Sequence, residues 1–291
     1  EMFPQNSERV QRQKKAPVRV IIGNPPYSVG QKSANDNASN QEYEKLDKRI
    51  AETYVAESIT TMNKANYDAY IKAFRWSTDR LDKKNGGIIG FVSNGAWLDG
   101  NTTSGFRKVI EKEFSSIWVF NTRGNARTQG ELRRKEAGNV FGGGSRTPIS
   151  ITLLVKNPDA KTDKATIHYH DIGDYLSREE KLAIVKKFKS VGNNQMTWKT
   201  LQPNEHGDWL NQRNDLFNEF IAIADKSDSK ERFFDIASSG VVSARDFWVY
   251  NSSENHLLEN MDTHISFYNE QTKAFQIAKQ NSPKIKVGDF V

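Results

Sequence analysis

Four short apolar runs, alternating with helix-spaced segments, limit what this 291-residue chain can fold into more than any other feature. They are Val18–Gly23 (VRVIIG), Ile88–Val92 (IIGFV), Ile117–Phe120 (IWVF) and Ile149–Val155 (ISITLLV). Runs this short and this apolar suit strands covered on both faces, as in a parallel sheet. Between the first two, Tyr67, Tyr70, Ile71, Phe74 and Leu81 recur at helical spacing, and Gly86-Gly87 stops that helix. Between the second and third, Phe106, Val109 and Ile110 share one face of a helix that runs to about Phe114. The alternation predicts a doubly wound α/β sheet. No convincing helix separates the third run from the fourth, which predicts an antiparallel pair at one edge of that sheet.

The first run ends in Asn24-Pro25-Pro26-Tyr27, where a buried strand gives way to a loop. In open α/β sheets ligands bind at that edge. An amine conjugated to a ring, or an amide nitrogen, is a poor nucleophile because its lone pair is delocalised. Two acceptors that hold its protons, the Asn24 side-chain carbonyl and the Pro25 backbone carbonyl, draw the nitrogen toward tetrahedral geometry and free that pair. Proline suits the second position because its fixed φ aims the carbonyl and it brings no competing N–H. Tyr27 offers a flat face on which a planar substrate can stack. The plain alternative is a proline turn after a strand.

These four residues resemble the catalytic motif of S-adenosylmethionine-dependent amino-methyltransferases, above all those acting on adenine N6 in DNA. Two further stretches are similar to that family: Gly87–Asn94 (GIIGFVSN) to its next strand and loop, and Gly138–Ser145 (GNVFGGGS) leading into ISITLLVK to the loop and edge strand that complete the adenine pocket. Ser239–Trp248 (SGVVSARDFW) resembles a stretch of helicase-linked restriction-modification proteins of the type ISP kind. The resemblance implies the C-terminal half of a Rossmann-type methyltransferase sheet, parallel strands plus an antiparallel edge pair, followed by an α+β target-recognition segment. The division it implies is a polar leader over 1–17, a partial catalytic domain over 18–157 and the start of a target-recognition region over 158–291.

It also implies roles. Asn24, Pro25, Pro26 and Tyr27 are the catalytic residues, acting on an adenine flipped out of the duplex, and Tyr27 and Phe141 stack on the base. The alternative for Phe141 is a core aromatic at a strand start. The implied cofactor is S-adenosylmethionine and the implied partner double-stranded DNA, in a bacterial cytoplasm. In the family the donor binds through a glycine-rich turn after the first strand and an acid after the second, both ahead of the motif. Only 23 residues precede Asn24, and the cluster Gly142-Gly143-Gly144 lacks a following helix. The chain is therefore expected to be a fragment that is inactive alone. Its expected partners are the missing N-terminal half, which would cover the exposed flank of the first strand, and a helicase or nuclease.

Composition narrows the rest. The net charge is +6, and between Asn121 and Ser150 six basic residues (Arg123, Arg127, Arg133, Arg134, Lys135, Arg146) face two acids (Glu131, Glu136). That segment is a candidate for phosphate contacts, or a solvated basic face. Arg245, beside Asp246, is a candidate for reading guanine or for an internal ion pair. With no cysteine, disulfides, thiolate metal sites and cysteine nucleophiles are excluded, in keeping with a cytosolic protein. No stretch approaches a membrane span, and residues 1–17 are polar and basic rather than a signal sequence. His168 and His170 have a spacing seen in metal sites, but nothing nearby completes a ligand set, so a strand with solvent-facing histidines is expected and no metal. There is no phosphate-binding P-loop, so any motor lies elsewhere.

Later segments read as follows. Residues 28–45 form a polar loop, and Ser177 with Glu180 makes a capping box ahead of a helix over Leu182–Phe188. A last helix spans roughly Ser253 to Tyr268. Two rivals to the leading reading remain: methylation of a protein glutamine amide, and a DNA-gripping module that has lost catalysis.

Overall fold

The computed structural model describes residues 4–26, 42–58, 60, 63–142, 145–213, 216, 219–224, 231–236, 238, 240, 243, 246–282, 285, 287 and 290. The chain divides into two compact units, Glu1–Asn214 and Asp215–Val291.

The first unit is built on one six-stranded sheet of order β1-β2-β4-β3-β5-β6. The strands are β1 (Val20–Gly23), β2 (Gly87–Asn94), β3 (Ser116–Arg123), β4 (Ile149–Lys156), β5 (Thr166–Asp171) and β6 (Lys199–Leu201). β1 pairs parallel with β2, β3 pairs parallel with β5, and β4 runs antiparallel to both β2 and β3. The carboxyl ends of β1, β2, β3 and β5 therefore share one edge. The antiparallel pair is present, but β4 is a central strand and not an edge strand. Its residues show why: Leu154 packs into one hydrophobic cluster and Ile151 against the other, so it needs cover on both faces.

The helices are α1 (Pro4–Lys15), α2 (Glu44–Ile50), α3 (Ala69–Arg80), α4 (Ser104–Glu113), α5 (Gly130–Glu136) and α6 (Arg178–Phe188). On one face of the sheet, Ile71 and Phe74 of α3 and Phe106 and Ile110 of α4 bury against Ile89, Phe91, Ile117 and Val119. On the other, α6 brings Ile184, Val185 and Phe188 against Phe120 and Ile172. The capping box at Ser177 and Glu180 is present as expected. α6 covers only the β3–β5 side. At the far side Val20 and Ile22 of β1 remain 59% and 81% exposed.

Four expectations shift. Residues 4–15 of the polar leader form a helix, tied down where Arg80 donates to the Gln13 and Ala16 carbonyls. The stretch between β3 and β4 contains the short α5. The sheet continues through β5 and β6, so residues 158–213 lie in the same structural unit as 18–157. His168 does not face solvent freely: it stacks on Trp118 at 3.8 Å, while the His170 ring meets Thr197 O at 2.7 Å. Trp198, beyond α6, packs edge-on to Trp118 and closes this aromatic group.

In the second unit, α7 (Asp246–Val249) and α8 (Glu254–Asn281) are the described helices. α8 begins where expected, with Ser253 as its cap, but it runs thirteen residues past Tyr268 because NEQTKAFQIAKQN carries no breaker. Trp248 lies against His264, and Phe275 against Phe290. The expected loop at residues 28–45 falls mostly outside the described residues; its last two, Glu44 and Lys45, open α2. Among the described residues, no helix is long and apolar enough to cross a membrane.

Candidate active site and nucleic-acid interface

The carboxyl edge of the sheet carries the candidate site. β1 stays in register with β2 to the end of β1, with Gly23 opposite Phe91. A Cβ at Gly23 would lie 3.3 Å from the Phe91 ring, so glycine lets β1 lie close over that ring. The chain then leaves the sheet with Asn24 exposed, Pro25 buried and Pro26 exposed. Among the described residues the Asn24 side chain has no hydrogen-bond partner, which leaves its carbonyl open to a ligand. Tyr27 lies outside the described residues.

β2 ends in Ser93 and Asn94. The Asn94 side chain accepts from Ala96 N at 2.9 Å, and Gly95 N donates to Pro148 O at 2.8 Å. That pins the loop after β2 to the entrance of β4.

The 121–147 excursion is held much more tightly than its glycines suggest. Asn139 donates to Thr147 O at 2.7 Å and to Gly124 O at 3.3 Å, joining the two ends of the excursion. Gly124, at φ +92°, has Asn139 Cα 3.0 Å from where a Cβ would be. From α6, Lys181 reaches in and donates to Glu136 O at 2.8 Å and Gly138 O at 2.7 Å. Its side chain is buried, and that burial brings its pKa down to about 8. Phe141 sits in this segment, 45% exposed, with its N–H on the Asn139 side-chain carbonyl. It is a surface aromatic and not a core one. Gly143 and Gly144 lie outside the described residues.

The six candidate phosphate contacts separate into two groups. Arg123, in a left-handed conformation at φ +58°, is held by Asp171 at 2.7 Å and by Asp174. Those two carboxylates raise its pKa against the opposing effect of burial. Arg133 donates to Ala137 O, Arg134 pairs with Glu131, and Lys135 lies 3.8 Å from Asp174. Arg127 and Arg146 are exposed, and among the described residues neither has an ion-pair partner. A backbone bond from Ala126 N to Arg146 O, 3.0 Å, brings the two stretches that carry them together. Arg245 lies outside the described residues. Among those that are described, no group of three or more His, Asp or Glu side chains could hold a metal ion.

Sequence reading missed a second cluster. Arg107 of α4 is fully buried and donates to Trp97 O, Gly100 O and Gly207 O at 2.7–2.8 Å, and to Asp208 at 3.3 Å. Asp208 also takes Arg213 at 2.6 Å; burial opposes ionisation there, but these hydrogen bonds bring its pKa to about 2. Glu111 accepts the Trp209 indole N–H at 2.5 Å, and burial raises its pKa. The only local hint was a helix face on which Arg107 and Glu111 are separated by one turn; their partners are about a hundred residues away.

Residues 2–125 match the family described as Eco57I restriction-modification methylase, and residues 232–289 match the Type ISP C-terminal specificity domain. The chain resembles the Type ISP restriction-modification enzymes. A nuclease-deletion mutant of the Type ISP enzyme LlaGI, solved in complex with a DNA substrate mimic, is 44% identical over 93% of this chain, with a TM-score of 0.79. The ATP-dependent Type ISP enzyme LlaBIII bound to DNA is 38% identical over 92%, with a TM-score of 0.80, and DrdV, solved as a DNA complex, is 37% identical over 97%, with a TM-score of 0.79. The chain spans 21%, 18% and 28% of the lengths of these three. None of the curated proteins matches. The Type ISP resemblance thus covers both units: a methylase match runs from α1 through β3, and a specificity-domain match covers α7 and α8.

Proposed function

We propose that this chain carries the catalytic edge and part of the DNA-reading region of an S-adenosylmethionine-dependent DNA methyltransferase of a restriction-modification system, acting on adenine N6. The observation that carries the reading is Asn24-Pro25 at the carboxyl end of β1, with the Asn24 carbonyl exposed, inside the segment that matches a restriction-modification methylase. Asn24 Oδ1 and the Pro25 carbonyl accept the two amine protons of the target base. Conjugation with the ring is then reduced, and the lone pair projects away from the base plane toward the electrophile. Tyr27 and Phe141 are the proposed stacking faces for the base. Arg127 and Arg146 are the proposed phosphate contacts, because the other four cations of that segment already have partners within the chain.

The donor in the family the sequence resembles supplies an electrophilic methyl group from a sulfonium. None of the described parallel strands is followed by a glycine-rich turn opening a helix, the feature that holds such a donor. The described residues do not by themselves fit it, and their chemistry is confined to the acceptor amine. The remaining donor contacts, and any motor or nuclease, are proposed to come from other parts of a longer polypeptide, without which this chain is inactive. The specificity-domain match at residues 232–289 supports DNA over a protein glutamine as the substrate.

The test is transfer of a tritiated methyl group from S-adenosylmethionine by the polypeptide that carries this chain, followed by nucleoside analysis. Label in N6-methyladenine is the expected result. Label in protein glutamine instead, or none in DNA, contradicts the proposal.

A further inference from the structure

A concave feature lies on the first unit, above the carboxyl ends of β3 and β5, and none of Asn24, Pro25 and Pro26 lines it. It is a cleft of about 880 Å³, a volume within the usual range for small-molecule sites. Its floor is a hydrogen-bonded chain. Asn121 Nδ2 donates to the Tyr169 hydroxyl at 2.9 Å, and that hydroxyl donates to Asp171 at 3.0 Å. One wall is α5 with Leu132, the opposite wall is Trp209–Gln212, and β6 supplies Lys199, Thr200 and Leu201.

The chemistry of this lining is specific. Five of its side chains are carboxamides: Asn121, Asn125, Gln202, Asn211 and Gln212. The lining carries four carboxylates (Asp99, Glu136, Asp171, Asp174) against three cations (Arg123, Lys135, Lys199), so its charges nearly cancel; Arg123 pairs with both Asp171 and Asp174. Lys199 stands exposed on β6 and has no carboxylate partner among the described residues. A simple anion would call for surplus positive charge, and an acyl chain for an apolar wall. The carboxamide atoms not already bonded to Tyr169, Arg123 N, Arg127 N, Asp99 or Gln202 O, beside Lys199, match a planar heterocycle joined to a phosphate. Asn and Gln side chains pair with the hydrogen-bonding edges of bases, adenine above all.

We propose that this cleft holds one unpaired nucleotide of the bound DNA, its base among the carboxamides and its phosphate at Lys199. This rests on the reading of the protein as a DNA methyltransferase. The site is separate from Asn24-Pro25 and serves to steady the opened strand, not to react.

The experiment uses the polypeptide that carries this chain and duplexes with 2-aminopurine placed at successive positions, whose emission rises on unstacking. Two variants are compared with wild type: Lys199→Ala with Asn211→Ala, which removes contacts, and Thr200→Trp, which fills the cleft from an exposed β6 position. The expected result is a bright position besides the target base in the wild-type complex, dimmed in both variants. Affinity for a duplex with an unpaired nucleotide should fall by about tenfold, while affinity for fully paired DNA stays within about twofold. Unchanged emission and affinity in both variants overturn the cleft assignment and leave the methyltransferase reading intact. Tight binding of free deoxyadenosine monophosphate, blocked by the variants, with no effect on DNA also overturns it. A wild-type protein that binds no DNA at all refutes the methyltransferase reading itself, and the cleft assignment with it.

Discussion

The two flanks of the one sheet are built in opposite ways. At the β1 flank Val20 and Ile22 stand exposed, and the loop that leaves β1 carries an exposed asparagine with an open side-chain carbonyl. At the β3–β5–β6 flank α6 covers the sheet, Lys181 and Asn139 tie down the 121–147 excursion, and Arg107 fastens residues 207–208 to α4. The contrast shows where rigidity resides. The proposed nucleic-acid side is held by buried polar bonds that each cost free energy to break, whereas the proposed catalytic edge lies beside the least covered strand. In the proposed reading, the well-tied flank positions the substrate and the open flank awaits the part of the protein that brings the donor.

The largest effect should come from cutting the well-tied flank. Arg107→Ala removes four hydrogen bonds of a buried side chain and leaves Gly207 O without its side-chain donor, while Asp208 keeps Arg213. It should lower stability by about 2–4 kcal/mol in urea unfolding of the first unit. Lys181 gives a pH-dependent test on the same flank. Its folded pKa is about 8 against an ordinary 10.5, so the unfolded chain binds more protons between those values. Stability should therefore rise as pH goes from about 8 toward 10.5, and Lys181→Met should flatten that rise. A steeper rise in the variant would contradict the buried-lysine assignment.

Salt dependence sharpens the comparison at the surface. Removing Arg127 and Arg146 together should reduce the slope of log affinity for DNA against log salt by about 2. Removing Arg134, which pairs with Glu131 at the surface, should change it by less. The smallest effect belongs to the open flank: Ile22→Ser should change the stability of this chain by no more than about 0.5 kcal/mol. A large loss there would mean that β1 is covered after all.

Much of this was legible because strand ends carry their own chemistry. The four apolar runs are β1 to β4, and the Ser177–Glu180 spacing is a real cap. The place of β4 was harder, since chain order does not say where a returning strand inserts. Even so, ISITLLV puts Ile149, Ile151, Leu153 and Val155 on one face and small Ser150 and Thr152 with Leu154 on the other, a strand that can be covered on both sides. The ion pairs of Arg123 and the stacking of His168 on Trp118 join residues about fifty positions apart, and no local pattern announces them. The Arg107 cluster was illegible for the same reason, at twice that separation.

The central claim is that Asn24 acts on the substrate amine and does not hold the fold. It is tested by measuring N6-methyladenine formation and urea unfolding in parallel for Asn24→Ala in the polypeptide that carries this chain. The expected result is methyl transfer reduced by about 10²–10⁴-fold with an unchanged unfolding midpoint. Full activity in the variant, or a loss of activity that tracks a loss of stability, would contradict it.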